Sequence, residues 1–172
     1  DSNDQAPIGY NPVPEMTFSL AAGLNWKGID FSILLQGAAR SSIYLQQDIA
    51  WDNFWGNYYE EHIGRWTPET AATATYPRFT KAATAAHPNY YKSDYWLKDS
   101  KYLRLKNIQL GYTIPRKLLK KFGVRSLRVY ANAYNLFTWD NVKKVDPESS
   151  NNSNGQFYPQ QKVINFGINL NF

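Results

Sequence analysis

Glu60, Glu61 and His62 place two carboxylates and an imidazole side by side, the residue types of acid–base catalysis and of metal binding. A zinc protease would need His-Glu-x-x-His, which sets both imidazoles on one helix face, and no such spacing occurs. The second histidine, His87, stands far along the chain and precedes Pro88. Paired carboxylates can hydrolyse glycosides across a gap of several ångströms, but the side chains of adjacent Glu60 and Glu61 diverge. Cysteine is absent, which excludes thiol catalysis, disulfides and Cys-based zinc sites. No glycine-rich phosphate loop is present. The expectation is a protein that is not an enzyme, with no catalytic residue, no metal ligands and no cofactor.

Aromatic residues offer a different chemistry. They make up 16% of the chain, as 13 Tyr, 9 Phe and 6 Trp. Trp51, Phe54, Trp55, Tyr58, Tyr59 and Trp66 could stack on sugar rings, pack against another cargo or anchor a protein partner. The competing reading is that most of them build a small core, because a segment of some sixty residues must bury something to be ordered. A second group, Asp30, Gln109, Arg128, Tyr130, Asn132 and Tyr134, is polar and sits at alternate positions of apolar stretches.

Those alternations define the elements that carry both groups. Met16, Phe18, Leu20, Ala22, Leu24 and Trp26 share one face of a strand; Thr17, Ser19, Ala21, Gly23 and Asn25 share the other. Lys27-Gly28 reads as a two-residue hairpin turn. Ile29, Phe31, Ile33, Leu35, Gly37 and Ala39 then alternate with Asp30, Ser32, Leu34, Gln36 and Ala38, and Leu34 is the one misfit. The turn sets Trp26 opposite Ile29, so the apolar phases of the two strands agree. A third strand over about 102–114 changes phase between Leu105 and Ile108, which calls for a bulge near Lys106-Asn107 or for a strand that extends beyond the lipid. Pro115 to Gly123 reads as a short helical turn, opened by proline and closed by glycine. A fourth strand covers about 124–137. The fifth, about 162–172, carries Ile164, Phe166, Ile168, Leu170 and Phe172 on one face against three asparagines on the other. Long polar segments, 41–101 and 138–161, separate the third strand from the second and the fifth from the fourth.

Nine to eleven residues of alternating character cross a bilayer when tilted. No run approaches the 18 apolar residues of a membrane helix, and the mean hydropathy of −0.56 is compatible with strands that are half polar. The expected fold is all-β: a transmembrane antiparallel β-barrel with alternating short turns and long loops. Arg128 on the lipid side at the midplane would cost about 2–4 kcal/mol. It and the other five polar residues are therefore expected to face a plug or the lumen. Five strands cannot close a barrel, and open edges are not tolerated in lipid. The chain is accordingly expected to be the last five strands of a larger barrel, separated by a nick or a gap in an external loop. The polar, acidic start, Asp1 to Gln5, is no signal peptide, so either the protein is not exported or its true N-terminus lies elsewhere. The net charge of +5 and pI near 9.3 could suit nucleic acid, but no nucleic-acid motif accompanies the basic residues. Arg116, Lys117, Lys120 and Lys121 read as a solvated turn, with anionic headgroups as the alternative.

The run from Asp94-Tyr95-Trp96-Leu97-Lys98-Asp99-Ser100-Lys101-Tyr102-Leu103-Arg104-Leu105-Lys106-Asn107-Ile108-Gln109-Leu110-Gly111-Tyr112 resembles the C-terminal signature of the SusC/RagA family of TonB-dependent transporters of Bacteroidetes. Gly64-Arg65-Trp66-Thr67-Pro68, Asn135-Leu136-Phe137-Thr138 and the terminal strand fit the same family; Ser100-Lys101 departs from its usual Gly-Ser. The resemblance implies a barrel of about 22 strands plugged by an N-terminal domain that this chain lacks. It implies active import of oligosaccharides or peptides across the bacterial outer membrane, powered through TonB, with a SusD-like surface lipoprotein as lid. The partners would be the rest of the barrel with its plug, that lipoprotein, TonB through the missing N-terminal part, outer-membrane lipid and the cargo, with a homodimer of the transporter–lipoprotein pair as a further expectation. The long loops would be extracellular and the C-terminus periplasmic. Ile164, Phe166, Ile168, Leu170 and Phe172 would then be the signal read by the barrel-assembly machinery as well as lipid-facing residues. Asn151-Asn152-Ser153 matches a glycosylation sequon, a chance match in such a protein. A passive porin-like channel, or a soluble β-rich carbohydrate-binding module, are the alternatives.

Overall fold

The computed structural model describes residues 5–52, 58–81, 87–143, 145–149 and 158–172. These divide into two compact units. One is a sheet formed by 15–39, 101–140 and 159–172. The other, the loop unit, gathers 1–14, 40–100 and 141–158.

The sheet has five antiparallel strands: β1 (Met16–Trp26), β2 (Ile29–Ala39), β5 (Tyr102–Thr113), β6 (Ser126–Asp140) and β7 (Val163–Asn171), in the order β1-β2-β5-β6-β7. Trp26 pairs with Ile29 across the hairpin. Lys27 and Gly28 both take positive φ, 48° and 89°, as the favoured hairpin turn requires. The register of β5 shifts by one residue against β2, between Leu34–Asn107 and Leu35–Leu105, leaving Lys106 as the extra residue. Against β6 the partners jump from Asn107–Tyr134 to Leu105–Phe137. Asn135 absorbs this with a φ of 51°, a left-handed conformation that asparagine tolerates better than most residues. β6 runs three residues further than its alternation predicts, because the phase resumes beyond the bulge with Phe137 and Trp139.

Following the ladders across the bulge yields one continuous apolar face. It runs from Leu20 and Leu35 to Leu105 and Phe137, and from Phe31 to Leu110, Ala131 and Phe166. No charged residue occupies a paired position on it. Between β5 and β6, Arg116–Leu119 forms α1, continued by a 3-10 turn to Phe122 and ended by Gly123 at φ 67°. Left-handed glycine is the common way to stop a helix.

The loop unit holds a second, two-stranded sheet, β3 (Ser42–Tyr44) and β4 (Leu97–Asp99), and 3-10 turns at Gln47–Ile49, Glu60–Gly64 and Pro88–Tyr90. Its core consists of Ile43, Leu45, Ala50, Trp51, Tyr76, Tyr90, Trp96 and Val142, with Tyr44, Phe79 and Val145 packed against them. The segment 41–101 thus folds around its own aromatics.

Candidate functional site

The polar face of the sheet carries the groups that β2, β5 and β6 bring together. Asp30 on β2 pairs with Gly111 on β5, and Arg128 on β6, opposite Thr113, reaches diagonally across that glycine. Arg128 Nε donates to Asp30 Oδ1 at 2.9 Å, and a second guanidinium N–H reaches Oδ2, a bidentate pair. The pair spans the intervening strand because Gly111 has no side chain. A Cβ there would lie 2.5 Å from both Arg128 and Asp30. Gln109 donates to Asp30 Oδ2 at 3.5 Å, and the Arg128 guanidinium lies 4.8 Å from the centre of the Tyr130 ring. Tyr130 in turn covers Gly167 on β7, where a Cβ would fall 2.3 Å from the ring. Further along the face, Arg104 is buried and donates to Thr138 at 2.9 Å. Of the six polar residues singled out in the sequence, Asp30, Gln109, Arg128 and Tyr130 form this network; Asn132 and Tyr134 share its face. The side-chain oxygens of Asn107 and Asn132 are buried there without a hydrogen-bond partner. Such acceptors cost free energy unless a donor reaches them.

The opposite face exposes many of its large side chains, with Leu105 and Ala133 buried among them. Leu20 is 61% exposed, Leu110 56% and Phe166 82%. Aromatic residues mark both ends: Trp26, Tyr112 and Phe172 towards the hairpin turn, Phe18, Phe137 and Trp139 at the other. Phe18 and Trp26 are eight residues apart on β1, about 27 Å along a strand. At the usual 35–45° tilt that is roughly 20 Å along the normal, comparable to the apolar band between aromatic girdles of an outer-membrane barrel.

In the loop unit the aromatic candidates separate. Trp51 is 3% exposed and packs 4.8 Å from Tyr90, so it is a core residue and offers no stacking surface. Tyr58 and Tyr59 flank His62, and they and Trp66 remain accessible. Phe54 and Trp55 lie outside the described residues. Two groups that the sequence did not single out organise this core. Asp52, buried, accepts from Thr80 N–H at 3.0 Å and from the Tyr90 hydroxyl, while its own N–H donates to Tyr76 Oη at 3.0 Å. Tyr76 donates to the Ala50 carbonyl at 2.8 Å. Burial, and then the charge of Asp52, push the Tyr76 phenol far above its ordinary range. Burial raises Tyr44, Tyr59 and Tyr95 in the same direction. His62 Nδ1 accepts from Tyr59 N–H at 3.0 Å, leaving Nε2 to donate to the Ala50 carbonyl at 3.2 Å. His62 is thus a structural bracket, and Glu60 and Glu61 point outward around it. Among the described residues no group of three or more His, Cys, Asp or Glu could hold a metal ion.

An antiparallel sheet with one apolar exposed face, one polar networked face and aromatic ends defines a segment of a transmembrane β-barrel. Comparison with known proteins agrees. No family model matches the chain. TonB-dependent receptor P26 of Formosa agariphila is 29% identical over 99% of the chain, and the match spans 18% of that receptor. TonB-dependent receptor SusC of Bacteroides thetaiotaomicron is 26% identical over the whole chain and 16% of its own length. Solved structures of the RagAB peptide importer superpose with a TM-score of 0.68 over 95% of the chain at 23% identity, again over 18% of the neighbour. The chain is similar to TonB-dependent receptors over its whole length, shares its fold with part of the RagAB importer, and spans less than a fifth of the length of these proteins.

Proposed function

We propose that the chain is the C-terminal part of the barrel of a TonB-dependent importer, which carries oligosaccharides or peptides across the outer membrane with a SusD-like lipoprotein as lid. The observation that carries this reading is the apolar face, continuous through five strands once the bulge at Lys106 is counted. Lipid is the surrounding that such a face fits, since in water it would be an association site. On this reading Asp30, Gln109, Arg128, Tyr130, Asn132 and Tyr134 face the plug. The loop unit is extracellular, and Tyr58, Tyr59 and Trp66 meet cargo or the lid protein. Ile164, Phe166, Ile168, Leu170 and Phe172 present the signal read during barrel assembly.

The names of the relatives support energised import, and they leave oligosaccharide and peptide both open. Uptake of labelled oligosaccharides and of labelled peptides by cells producing the full-length receptor tests both points. The proposal expects uptake of one class, lost when TonB is deleted or the proton-motive force collapsed. Uptake that persists without TonB identifies a passive channel and overturns it.

A further inference from the structure

The turn between β5 and β6 is more than a connection. From Arg116 to Phe122 it exposes Leu118 at 65% and Phe122 at 76%, while Leu119 is buried and fixes the helix to the sheet unit. Leu118 and Phe122 stand about one turn apart, so both can engage the same surface. Arg116, Lys117, Lys120 and Lys121 surround them, and Arg125 follows. No Asp or Glu occurs in the sequence between Asp99 and Asp140. Among the described residues none of these five cations pairs with a carboxylate.

The adjoining rim has the same character. Thr113 N–H donates to the Gly28 carbonyl at 2.7 Å, tying the end of β5 to the Lys27-Gly28 hairpin. There the Lys27 ammonium lies 4.9 Å from the centre of the exposed Trp26 ring. Tyr112 completes the aromatic row on the apolar face. Basic heads beside exposed apolar side chains, at the aromatic end of an apolar face, form the pattern of an interfacial anchor. Solvation alone accounts for the lysines and leaves Leu118 and Phe122 unexplained.

We propose that Arg116–Phe122 is a docking surface for anionic phospholipid headgroups, with Arg116, Lys117, Lys120 and Lys121 on the phosphates and Leu118 and Phe122 seated at the level of the upper acyl chains. The inference rests on the reading that the five strands span a bilayer with this turn on the phospholipid side. Each Lys or Arg held near an anionic membrane surface favours binding by about five-fold.

The test uses the full-length receptor purified in detergent and offered phosphatidylglycerol, phosphatidylcholine or lipopolysaccharide, with retained lipid read by native mass spectrometry. The receptor is expected to keep phosphatidylglycerol at least about five-fold over phosphatidylcholine. The combined variant R116Q/K117Q/K120Q/K121Q is expected to lose that preference, and K117R/K120R/K121R to keep it. L118S/F122S is expected to lower retention of both phospholipids. Heat-dependent mobility on gels reports independently whether each variant is a folded barrel; should the combined variant not fold, K120E and K121E singly are expected to weaken the preference. Equal retention of the two phospholipids by the unaltered receptor, or a folded variant that keeps its preference without the charges, overturns the proposal. So does retention of lipopolysaccharide alone through these residues. Loss of heat-dependent mobility in the unaltered receptor would instead defeat the barrel reading beneath it.

Discussion

Leu20, Leu110, Phe166 and Ile168 stand on the sheet more than half exposed, whereas Trp51, Tyr76, Tyr90 and Trp96 in the loop unit are all 5% exposed or less. The polar groups are arranged in reverse. The Asp30–Arg128 pair with Gln109 lies on one face of the sheet, while Asp52 and His62 sit inside the loop unit with their hydrogen bonds made by neighbouring hydroxyl, amide and carbonyl groups. One polypeptide therefore uses the same residue types for two solvents. In the loop unit aromatics turn inward because water surrounds them, and the buried polar groups of Asp52, Tyr76 and His62 are hydrogen-bonded. In the sheet the backbone satisfies itself through the ladders, and apolar side chains turn outward because the medium there is hydrocarbon.

That contrast can be broken from either side. The largest effect is expected from Trp51→Ala, which removes the ring packed on Tyr90 and should cost about 3–5 kcal/mol. The loop unit should then become sensitive to protease while the barrel still inserts and keeps its heat-dependent mobility. Next comes Leu20→Arg. A cation in the middle of the apolar face should cost about 2–4 kcal/mol, lowering the folded fraction in vesicles, and the protease pattern of the loop unit should stay unchanged. Gly111→Val is expected to cost less, about 1–3 kcal/mol, by driving Asp30 and Arg128 apart; chemical denaturation of the purified receptor reads this.

The smallest effect is one of pH. Tyr76, Tyr44, Tyr59 and Tyr95 all have phenols raised above their reference value of 10.0 in the folded loop unit. A raised phenol pKa means the fold favours the neutral form. The stabilisation is therefore complete below pH 10 and declines as pH rises beyond it, when the unfolded chain ionises first. Protease nicking of the loop unit should increase between about pH 10 and 12, with the barrel still folded. Simultaneous loss of both units would show that they do not respond separately.

How much of this could be read from residues alone follows the same division. The alternation in β1, β2 and β7 is strict, and a strand's period of two leaves little freedom in assigning faces. Around Lys106 and Asn135 the pattern breaks, and only pairing with neighbouring strands reveals that the phase resumes on the same face. Leu34 looked misplaced; it lies opposite Asn107, just before the shift, on the polar side. The Asp30–Arg128 pair joins residues 98 apart, and the glycine that permits it carries no signal of its own. A clue was nonetheless present, since a glycine on a middle strand, beside an acid and diagonal to a base, leaves the room in which such a pair can close. In the loop unit Trp51 and Tyr58 were equivalent by type. Burial separates them, and burial there depends on Tyr76, Tyr90 and Trp96, which approach only after the segment folds. Asp52 and His62 were legible as titratable residues but not as brackets, because Thr80, Tyr76 and Tyr90, which meet Asp52, and Ala50, which meets His62, are distant in sequence.

The most direct measurement places single cysteines, in a receptor otherwise free of them, at Leu20, Leu110 and Phe166 and at Ser19, Gln109 and Asn165. A spin label at each is tested in lipid vesicles for collision with dissolved oxygen and with a water-soluble nickel complex. The account predicts that labels at Leu20, Leu110 and Phe166 meet oxygen and are shielded from nickel, and that the three neighbouring positions are shielded from lipid. Nickel access to both sets, or oxygen preference at Ser19, Gln109 and Asn165, would contradict it.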